Sequence, residues 1–410
     1  MIDRHALRAK VRRFAHGVAD RGEALWTGIM TPFWRGMARR NRDKFVGTYV
    51  AVMGSCGKST ATMLAAAMLS TQRATELGLF DNTERHLLRY LRRLDRRVDC
   101  FVQELSEFPL GTIDAVSRAM GVNAAAVTMI GLDHRSAFRS HDAIAAEMAG
   151  LLGRLPADGF ACLNADDAAV SSLSTSCSCR VVFFGVSASA ELRAENVSAR
   201  SGRLEFDLVI GAKRRHVETR FVGTLMLPSV LAALSIAHAL DLDMDMAVSG
   251  LGLIEPLRRR MGVFSGADKH TYVVDTYKAS HWSTLLFVED IPNMGEGRRV
   301  FVLGEVSDIA SDSSRRYRQL IRAAAQRCDL VIGIGRSAAS AAEKVSRLEP
   351  GTQVVAARNL SDVSAILRDQ PPSLVFLKGK KMGTLPVLSS DPLWDHEHVL
   401  GSHPPMDSTQ

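Results

Sequence analysis

Short apolar runs alternate with stretches of helical hydrophobic spacing along most of the chain. Between residues 46 and 255, the runs that predict buried strands are 49–53, 100–103, 125–129, 161–163 and 181–184. This alternation is typical of a doubly wound α/β domain. Apolar and polar residues then alternate across 192–222, which predicts a β-meander, and a helix is predicted at about 229–240.

A second series of strands and helices follows a linker that contains Pro256. Its predicted strands are 271–275, 300–303, 330–334 and 374–377. The pattern indicates a smaller, Rossmann-like α/β unit. We therefore expect four segments: a basic helical arm at 1–45, a central domain at 46–255, a C-terminal domain at 256–390 and a tail at 391–410.

The first apolar run leads directly into Gly54-Ser55-Cys56-Gly57-Lys58-Ser59-Thr60, and residues 61–70 then predict a helix. A glycine turn between a strand and a helix N-terminus binds anions, because backbone N–H groups and the helix dipole point at the ligand. Lys58 adds a positive charge, and the Ser59 hydroxyl can ligate Mg²⁺. The full Walker pattern has glycine where this chain has Val52, so the match is to GxxGK[ST]. A purely structural turn is the alternative; the preceding buried strand favours phosphate binding.

Two further polar groups follow predicted strands. Glu104 ends the second strand, and ligands of open α/β sheets bind at the carboxyl ends of strands, so its carboxylate can reach a metal held by Ser59. His134 follows the third strand within Gly131-Leu132-Asp133-His134 and could ligate a second metal or contact phosphate. A solvated rim glutamate and a structural histidine are the competing interpretations.

Composition bounds these expectations. The 410 residues are 46% hydrophobic and 23% charged, which suits sizeable cores in two or three domains. The six cysteines lack metal-binding spacing and favour a reduced compartment. We expect a cytoplasmic protein, because no apolar stretch is long enough to span a bilayer and the N-terminus lacks a signal-peptide pattern.

The net charge of +7 belongs to the first segment. Residues 1–45 contain 11 Lys/Arg and 4 Asp/Glu, and the rest carries 40 of each sign. A basic amphipathic helix can lie on an anionic inner-membrane surface or bind an acidic polymer. The alternative is a helical arm that packs on the main body with a solvated basic face, and we favour this alternative. We expect no nucleic-acid partner, because the main body is neutral and carries no nucleic-acid module.

Seven short stretches in this order resemble the Mur ligase family of ATP-dependent amide ligases. They are Gly54 to Thr60, QELSEFPLGTI with Glu104, GLDH at 131–134, LNADD at 163–167, Arg260, DTYKAS at 275–280 and Lys378-Gly379. The branch that looks most similar adds D-alanyl-D-alanine to a muramyl tripeptide.

The resemblance implies a three-step reaction with ATP and Mg²⁺. A substrate carboxylate attacks the γ-phosphate, an amine attacks the resulting acyl phosphate, and the tetrahedral intermediate expels phosphate. Lys58 would neutralise charge, Ser59 and Glu104 would hold Mg²⁺, and His134 would sit near a second Mg²⁺.

The resemblance also assigns residues of the predicted C-terminal domain. Arg260 would belong to the hinge, Asp275 to the domain that closes on the nucleotide, and Tyr277 would lie near the adenine. Lys378 matches a further family position. Closure would exclude water from the acyl phosphate.

Three departures from the family pattern change the picture. Met148 stands where many members carry a carbamylated lysine that holds the second Mg²⁺, and methionine does not bind this hard cation. The family stretch G-x-H-N-x-x-N reads GTLMLPS at 223–229. Residues 1–45 are too few for the family's UDP-sugar domain, which predicts a substrate without UDP.

The leading hypothesis is thus an ADP-forming ligase that joins a small-molecule or peptide-like acid to an amine. A non-catalytic, nucleotide-binding homologue that serves as a partner or scaffold subunit is the alternative, and the changes at Met148 and at 223–229 favour it. A generic P-loop phosphotransferase or ATPase is a third hypothesis; such an enzyme would not need the long C-terminal unit.

Overall fold

The structure, a computed structural model, describes residues 36, 40, 44–79, 94, 97–106, 111–131, 141–199, 202–257, 259–307, 313–380, 382 and 385. The predicted N-terminal arm (apart from residues 36, 40, 44 and 45), His134 and the tail at 391–410 lie outside these residues. Within them, strands and helices form two sheets with helices between the strands, as the sequence predicts.

The first sheet belongs to the part that we call the central unit, residues 44–257. Its strands are β1 (Thr48–Met53), β2 (Thr75–Gly78), β3 (Cys100–Glu104), β4 (Ala124–Val127), β5 (Phe160–Asn164), β6 (Arg180–Gly185), β7 (Leu192–Ser198), β8 (Glu205–Ile210) and β9 (Lys213–Glu218). Their order is β2-β3-β1-β4-β5-β6-β7-β8-β9. The pairs from β2 to β7 are parallel, and β7–β8–β9 is the predicted antiparallel meander.

The second sheet belongs to the C-terminal unit, residues 259–385. Its strands are β10 (Gly262–Ser265), β11 (Thr271–Asp275), β12 (Arg299–Leu303), β13 (Leu330–Ile334), β14 (Val354–Ala357) and β15 (Leu374–Lys378). Their order is β10-β11-β15-β12-β13-β14, and every pair except β10–β11 is parallel. This arrangement confirms the predicted α/β class.

Ten α-helices connect the strands of the described residues. They are α1 (Lys58–Ser70), α2 (Thr112–Met120), α3 (His141–Leu152), α4 (Ala168–Ser172), α5 (Leu227–Ala239), α6 (Met244–Leu251), α7 (His281–Asp290), α8 (Ser313–Ala325), α9 (Gly335–Leu348) and α10 (Leu360–Arg368). In these residues, no helix is long and apolar enough to cross a membrane.

Strand β1 shows why the central sheet is covered on both faces. Successive side chains of a strand point to opposite faces, and all of β1 beyond Thr48 is buried. Val50 and Val52 join an apolar cluster that contains α1 and α5, whereas Tyr49, Ala51 and Met53 join a second cluster with α2 and α3. A parallel sheet that is buried on both faces needs such continuous apolar strands.

The first of these clusters continues into the C-terminal unit. It contains Phe221 and Val222 of the central unit together with Phe287 and Met294 of the C-terminal unit. A separate cluster covers the other face of the second sheet, where Val300, Val302 and Val375 lie. The two units therefore share apolar contacts, which place α7 against the central unit.

Polar side chains of the LNADD stretch fix the carboxyl end of β4. Asn164 Nδ2 donates to the Thr128 carbonyl at 2.8 Å. Asp167 Oδ2 accepts a hydrogen bond from Ile130 N at 2.8 Å, while its Oδ1 caps α4 by accepting from Ala169 N and Val170 N. One carboxylate thus satisfies three backbone donors from two elements.

We expect Asp167→Ala to lower the free energy of unfolding by about 2–3 kcal/mol, because a helix cap and a buried donor lose their acceptor together. Urea denaturation followed by circular dichroism measures this loss. Asp158→Ala, at an exposed position near β5, is the control and should change stability by no more than about 0.5 kcal/mol. Equal stabilities of the two variants would contradict the bracing role of Asp167.

Candidate functional site

The glycine turn between β1 and α1 closes around side chains from distant parts of the chain. Gly54 and Gly57 have φ angles of 132° and 81°, which favour glycine. A Cβ on Gly54 would lie 2.2 Å from Thr128 Oγ1, and one on Gly57 would lie 2.3 Å from Ser229 Oγ. Both positions therefore require glycine, because of their backbone conformation and because the Thr128 and Ser229 hydroxyls occupy the space of a Cβ.

Hydrogen bonds from the same side chains hold the turn. Thr128 Oγ1 donates to the carbonyl oxygen of Cys56 at 2.6 Å. Ser229 Oγ, on the first turn of α5, donates to the carbonyl oxygen of Gly57 at 3.2 Å. Ser55 N donates to the Met129 carbonyl at 2.8 Å. The ends of β4 and the start of α5 thus determine where the turn lies.

The turn has the features of an anion site. Helix α1 begins at Lys58, and its N-cap residue Gly57 has no side chain that could cap the first N–H groups, which point towards the turn as in helical anion sites. Ser55 Oγ is buried and, in the described residues, makes no hydrogen bond. Lys58 is buried with its Nζ on the Gly54 carbonyl. These donors fit a phosphate group, which supplies the acceptors that they need.

Ser59 and Glu104 meet beside this turn. Parallel pairing of β1 and β3 places Glu104 opposite Val52, at the carboxyl ends of both strands. Ser59 Oγ donates to Glu104 Oε2 at 2.7 Å, and both residues are buried. A hydroxyl and a carboxylate oxygen are hard donors of the kind that Mg²⁺ takes from proteins alongside phosphate oxygens. The residues present therefore fit the metal that the sequence implies.

The position at which many Mur ligases carry the lysine for a second Mg²⁺ is apolar in this chain. Met148 is fully buried in the apolar cluster that contains Ile144 and Leu151. The neighbouring Glu147 accepts a hydrogen bond from Gly111 N at 2.6 Å. In the described ranges, no group of three or more His, Cys, Asp or Glu side chains is placed to hold a metal. His134 lies outside those ranges, so its assignment stays a prediction.

The linker between the units has an unusual backbone. Arg259 and Met261 have φ angles of 62° and 58°, a conformation that costs free energy in residues other than glycine. The Arg259 carbonyl accepts hydrogen bonds from Thr276 N and Tyr277 N, which follow β11. Arg260, between the two, places its guanidinium 4.1 Å from the ring centroid of Tyr277. This cation–π contact joins two residues that the sequence assigned separately.

Asp275 and Lys378 form a pair at the ends of adjacent strands β11 and β15. The parallel register sets them opposite each other, and Lys378 Nζ makes a salt bridge with Asp275 Oδ2. Lys378 is buried, and its Nζ also donates to the Lys278 carbonyl at 3.3 Å. The sequence predicted each residue, and the structure shows that they act on each other.

Sequence patterns assign no role to three residues that contribute to this region: Thr128, Ser229 and Asp290. Thr128 lies near the end of a predicted strand, Ser229 lies in the segment that departs from the family pattern, and Asp290 belongs to no motif. Asp290 Oδ2 accepts a hydrogen bond from Leu225 N at 2.8 Å, across 65 residues of chain. Of the three, only Thr128 could have been found from the sequence, because it lies at the carboxyl end of a predicted strand, where ligands of open α/β sheets bind.

The six cysteines are free thiols. Burial raises the pKa of Cys162 to about 12 and that of Cys177 to about 11. Burial likewise raises the pKa of Cys328 to about 12. These three side chains remain protonated at neutral pH and are poor nucleophiles.

Comparisons with known proteins agree with this geometry. Residues 52–237 match the family model of the Mur ligase middle domain. The chain is 27% identical over 304 residues to the UDP-N-acetylmuramoyl-tripeptide–D-alanyl-D-alanine ligase of Mycobacterium tuberculosis. That alignment covers 71% of this chain and 59% of the mycobacterial enzyme, so the chain spans less than two thirds of the length of this relative.

Solved structures share the fold. MurF from Acinetobacter baumannii superimposes with a TM-score of 0.75 at 21% identity, over 85% of this chain and 76% of that one. The MurF ligase of Thermotoga maritima in complex with ADP gives a TM-score of 0.74 at 17% identity, over 85% and 80%. Residues 52–237 thus correspond to a Mur ligase middle domain, and the chain is similar to Mur ligases in sequence and in fold.

Proposed function

We propose that the protein is an ATP-dependent, ADP-forming ligase that joins a carboxylic acid to an amine. The observation that carries this proposal is the buried pair Ser59–Glu104 beside Lys58 and the glycine turn. Two hard oxygen donors, a lysine and uncapped helix N–H groups in one place suit a metal-bound triphosphate.

In the proposed reaction, a carboxylate oxygen of the acid attacks the γ-phosphorus and ADP leaves. The amine nitrogen then attacks the carbonyl carbon of the acyl phosphate, loses a proton, and inorganic phosphate departs. Lys58 and the N-terminus of α1 would hold the phosphates and offset the charge that develops on them. Mg²⁺ held by Ser59 and Glu104 would supply further neutralisation of phosphate charge.

The C-terminal unit would complete the site as a separate domain. We propose that the Arg259 to Met261 linker is the hinge, and that Arg260 and Tyr277 together border the nucleobase. The pair Asp275–Lys378 would fix the ends of β11 and β15 on the side that meets the nucleotide. Met148 is enclosed in an apolar cluster and supplies no ligand for a second metal ion. The proposal therefore uses one Mg²⁺, held by Ser59 and Glu104.

The substrates are proposed as a small-molecule or peptide-like acid and an amine. The mycobacterial relative joins D-alanyl-D-alanine to a UDP-linked tripeptide, according to its name. The name of this relative does not support the expectation of a substrate without UDP, which stays a prediction. The membrane or acidic-polymer role of the basic segment 1–45 also stays a prediction.

A non-catalytic nucleotide-binding subunit is the second candidate. The segment 223–229 favours it, because the His and Asn side chains of the family pattern are replaced there by Leu225, Met226 and Ser229. Ser229 instead contacts the Gly57 carbonyl. Such a protein would bind ATP without turning it over.

The test is phosphate release from Mg-ATP with a panel of acid and amine pairs, with ADP and AMP separated by chromatography. ADP and phosphate that appear only when both partners are present support the ligase. The panel should include UDP-linked muramyl peptides and their counterparts without UDP. Tight ATP binding with no turnover on any pair supports the subunit, and AMP release would refute the acyl-phosphate route.

We expect Lys58→Ala to reduce ADP formation by about 100-fold or more, because a buried positive charge at the phosphates is lost. Steady-state assays at saturating Mg²⁺ measure the change, and thermal melting confirms the fold. The matched control is Lys213→Ala, an exposed lysine on β9, which should retain wild-type activity. Wild-type turnover by Lys58→Ala would refute the phosphate site.

Ser59→Ala and Glu104→Gln should each raise the Mg²⁺ concentration for half-maximal activity by about 10- to 100-fold, since the first removes a hard oxygen donor and the second removes the negative charge of the carboxylate. A Mg²⁺ titration of ADP formation measures this shift. Glu147→Gln is the control, because its carboxylate contacts Gly111 N and not Ser59. An unchanged Mg²⁺ titration for both test variants would refute the assignment of Ser59 and Glu104 as Mg²⁺ ligands.

A further inference from the structure

Asp290 of the C-terminal unit reaches across to the central unit with both carboxylate oxygens. It is the last residue of α7, and its side chain is buried. Oδ1 accepts a hydrogen bond from Thr224 Oγ1, and Oδ2 accepts one from Leu225 N at 2.8 Å. Asn293 Nδ2, from its own unit, donates to Oδ1 at 3.0 Å.

The surroundings of Asp290 stabilise a buried charge. A carboxylate out of water is costly unless donors satisfy it, and here three donors do so. Its Leu225 partner belongs to the short 3-10 helix Thr224–Met226 that runs into α5, so the carboxylate lies at the positive end of this helical segment. Gly223 makes room for it: a Cβ there would lie 2.4 Å from Asp290 Oδ2.

The segment that Asp290 contacts also contacts the glycine turn between β1 and α1, which we call the phosphate turn after its proposed role. Ser229 lies on the first turn of α5 and donates to the Gly57 carbonyl at 3.2 Å. Helical backbone joins Thr224 to Ser229 without interruption. A continuous path therefore runs from Asp290 through the start of α5 to the residue that precedes Lys58.

A second contact between the units lies nearby. The indole of Trp282, on the first turn of α7, packs on Gly131, where a Cβ would lie 2.3 Å from a ring carbon. Asp290 itself borders a cleft of about 280 Å³. Met129 and Pro228 line it from the central unit, and Leu286 and Glu289 from the C-terminal unit.

We propose that Asp290 is a positioning residue that holds the C-terminal unit against the phosphate turn. It thereby sets nucleotide affinity through the fraction of molecules in which the two units are in contact. This inference rests on the proposed function, in which the nucleotide binds between the units. A protein whose competent arrangement is populated only in part binds its ligand more weakly by that fraction.

The experiment uses the full chain with Trp26, Trp34 and Trp394 replaced by Phe, so that Trp282 is the remaining tryptophan. In this background we compare Asp290→Asn, Thr224→Val and their combination. Acrylamide quenching of Trp282 reports contact between the units without any ligand, and titration with Mg-ADP gives the dissociation constant.

Both single variants should expose Trp282 to quenching and weaken Mg-ADP binding, Asp290→Asn by about 5- to 20-fold. The double variant should be no weaker than Asp290→Asn alone, because the two side chains share one interaction. Asp243→Asn is the matched control: Asp243 caps α6 through Asp245 N and Met246 N within the central unit. It should lower the melting temperature without changing quenching or affinity.

Wild-type quenching in Asp290→Asn and Thr224→Val would overturn the proposal, and so would increased quenching with unchanged Mg-ADP affinity. If Asp290→Asn fails to fold by circular dichroism, Thr224→Val decides, because it keeps the carboxylate and its bond from Leu225 N. If the wild-type protein binds no Mg-ADP, the proposed function fails, and the quenching data alone then confirm or refute the contact between the units.

Discussion

The glycine turn between β1 and α1 can close only because Gly54 and Gly57 carry no side chain. Thr128 and Ser229 occupy the space that a Cβ would fill, and their hydroxyls hold the carbonyl groups of the turn. These partners come 72 and 172 residues later than the groups that they bind. A local sequence motif thus depends on the assembled sheet, on α5 and, through the start of α5, on Asp290 in the other unit.

The central strands were predictable because they are buried on both faces and read as apolar runs. The strands that sequence patterns missed are β2, β10 and β14, each four residues long and each at an edge of its sheet. An edge strand is paired on one side and partly solvated, so selection for apolar residues is weaker there. Runs of four residues, such as Gly-Val-Phe-Ser in β10, are also too short to show a clear strand pattern.

The candidate site also contains residues that the sequence predicts and residues that it does not. The rule that ligand-binding side chains follow the carboxyl ends of strands placed Glu104 beside Ser59, because parallel register carries both strand ends to one edge. Asp290 followed no such rule. Its partners on the other unit are a backbone N–H and a hydroxyl, and packing between the units determines where these groups lie. Segment 223–229 departs from the family pattern, but its sequence does not indicate that Asp290 contacts it.

The far edge of the nine-stranded sheet has a consequence for behaviour at high concentration. Among the residues that the structure describes, β9 is the last strand of the sheet and has no neighbour on its outer side, and an edge of this kind can recruit a strand from another molecule. Its sequence is Lys-Arg-Arg-His-Val-Glu, with Arg214 in ion pairs to Glu195 and Asp207. Desolvating so many charges opposes the approach of a second strand. The meander therefore extends the sheet and ends it in a form that resists aggregation.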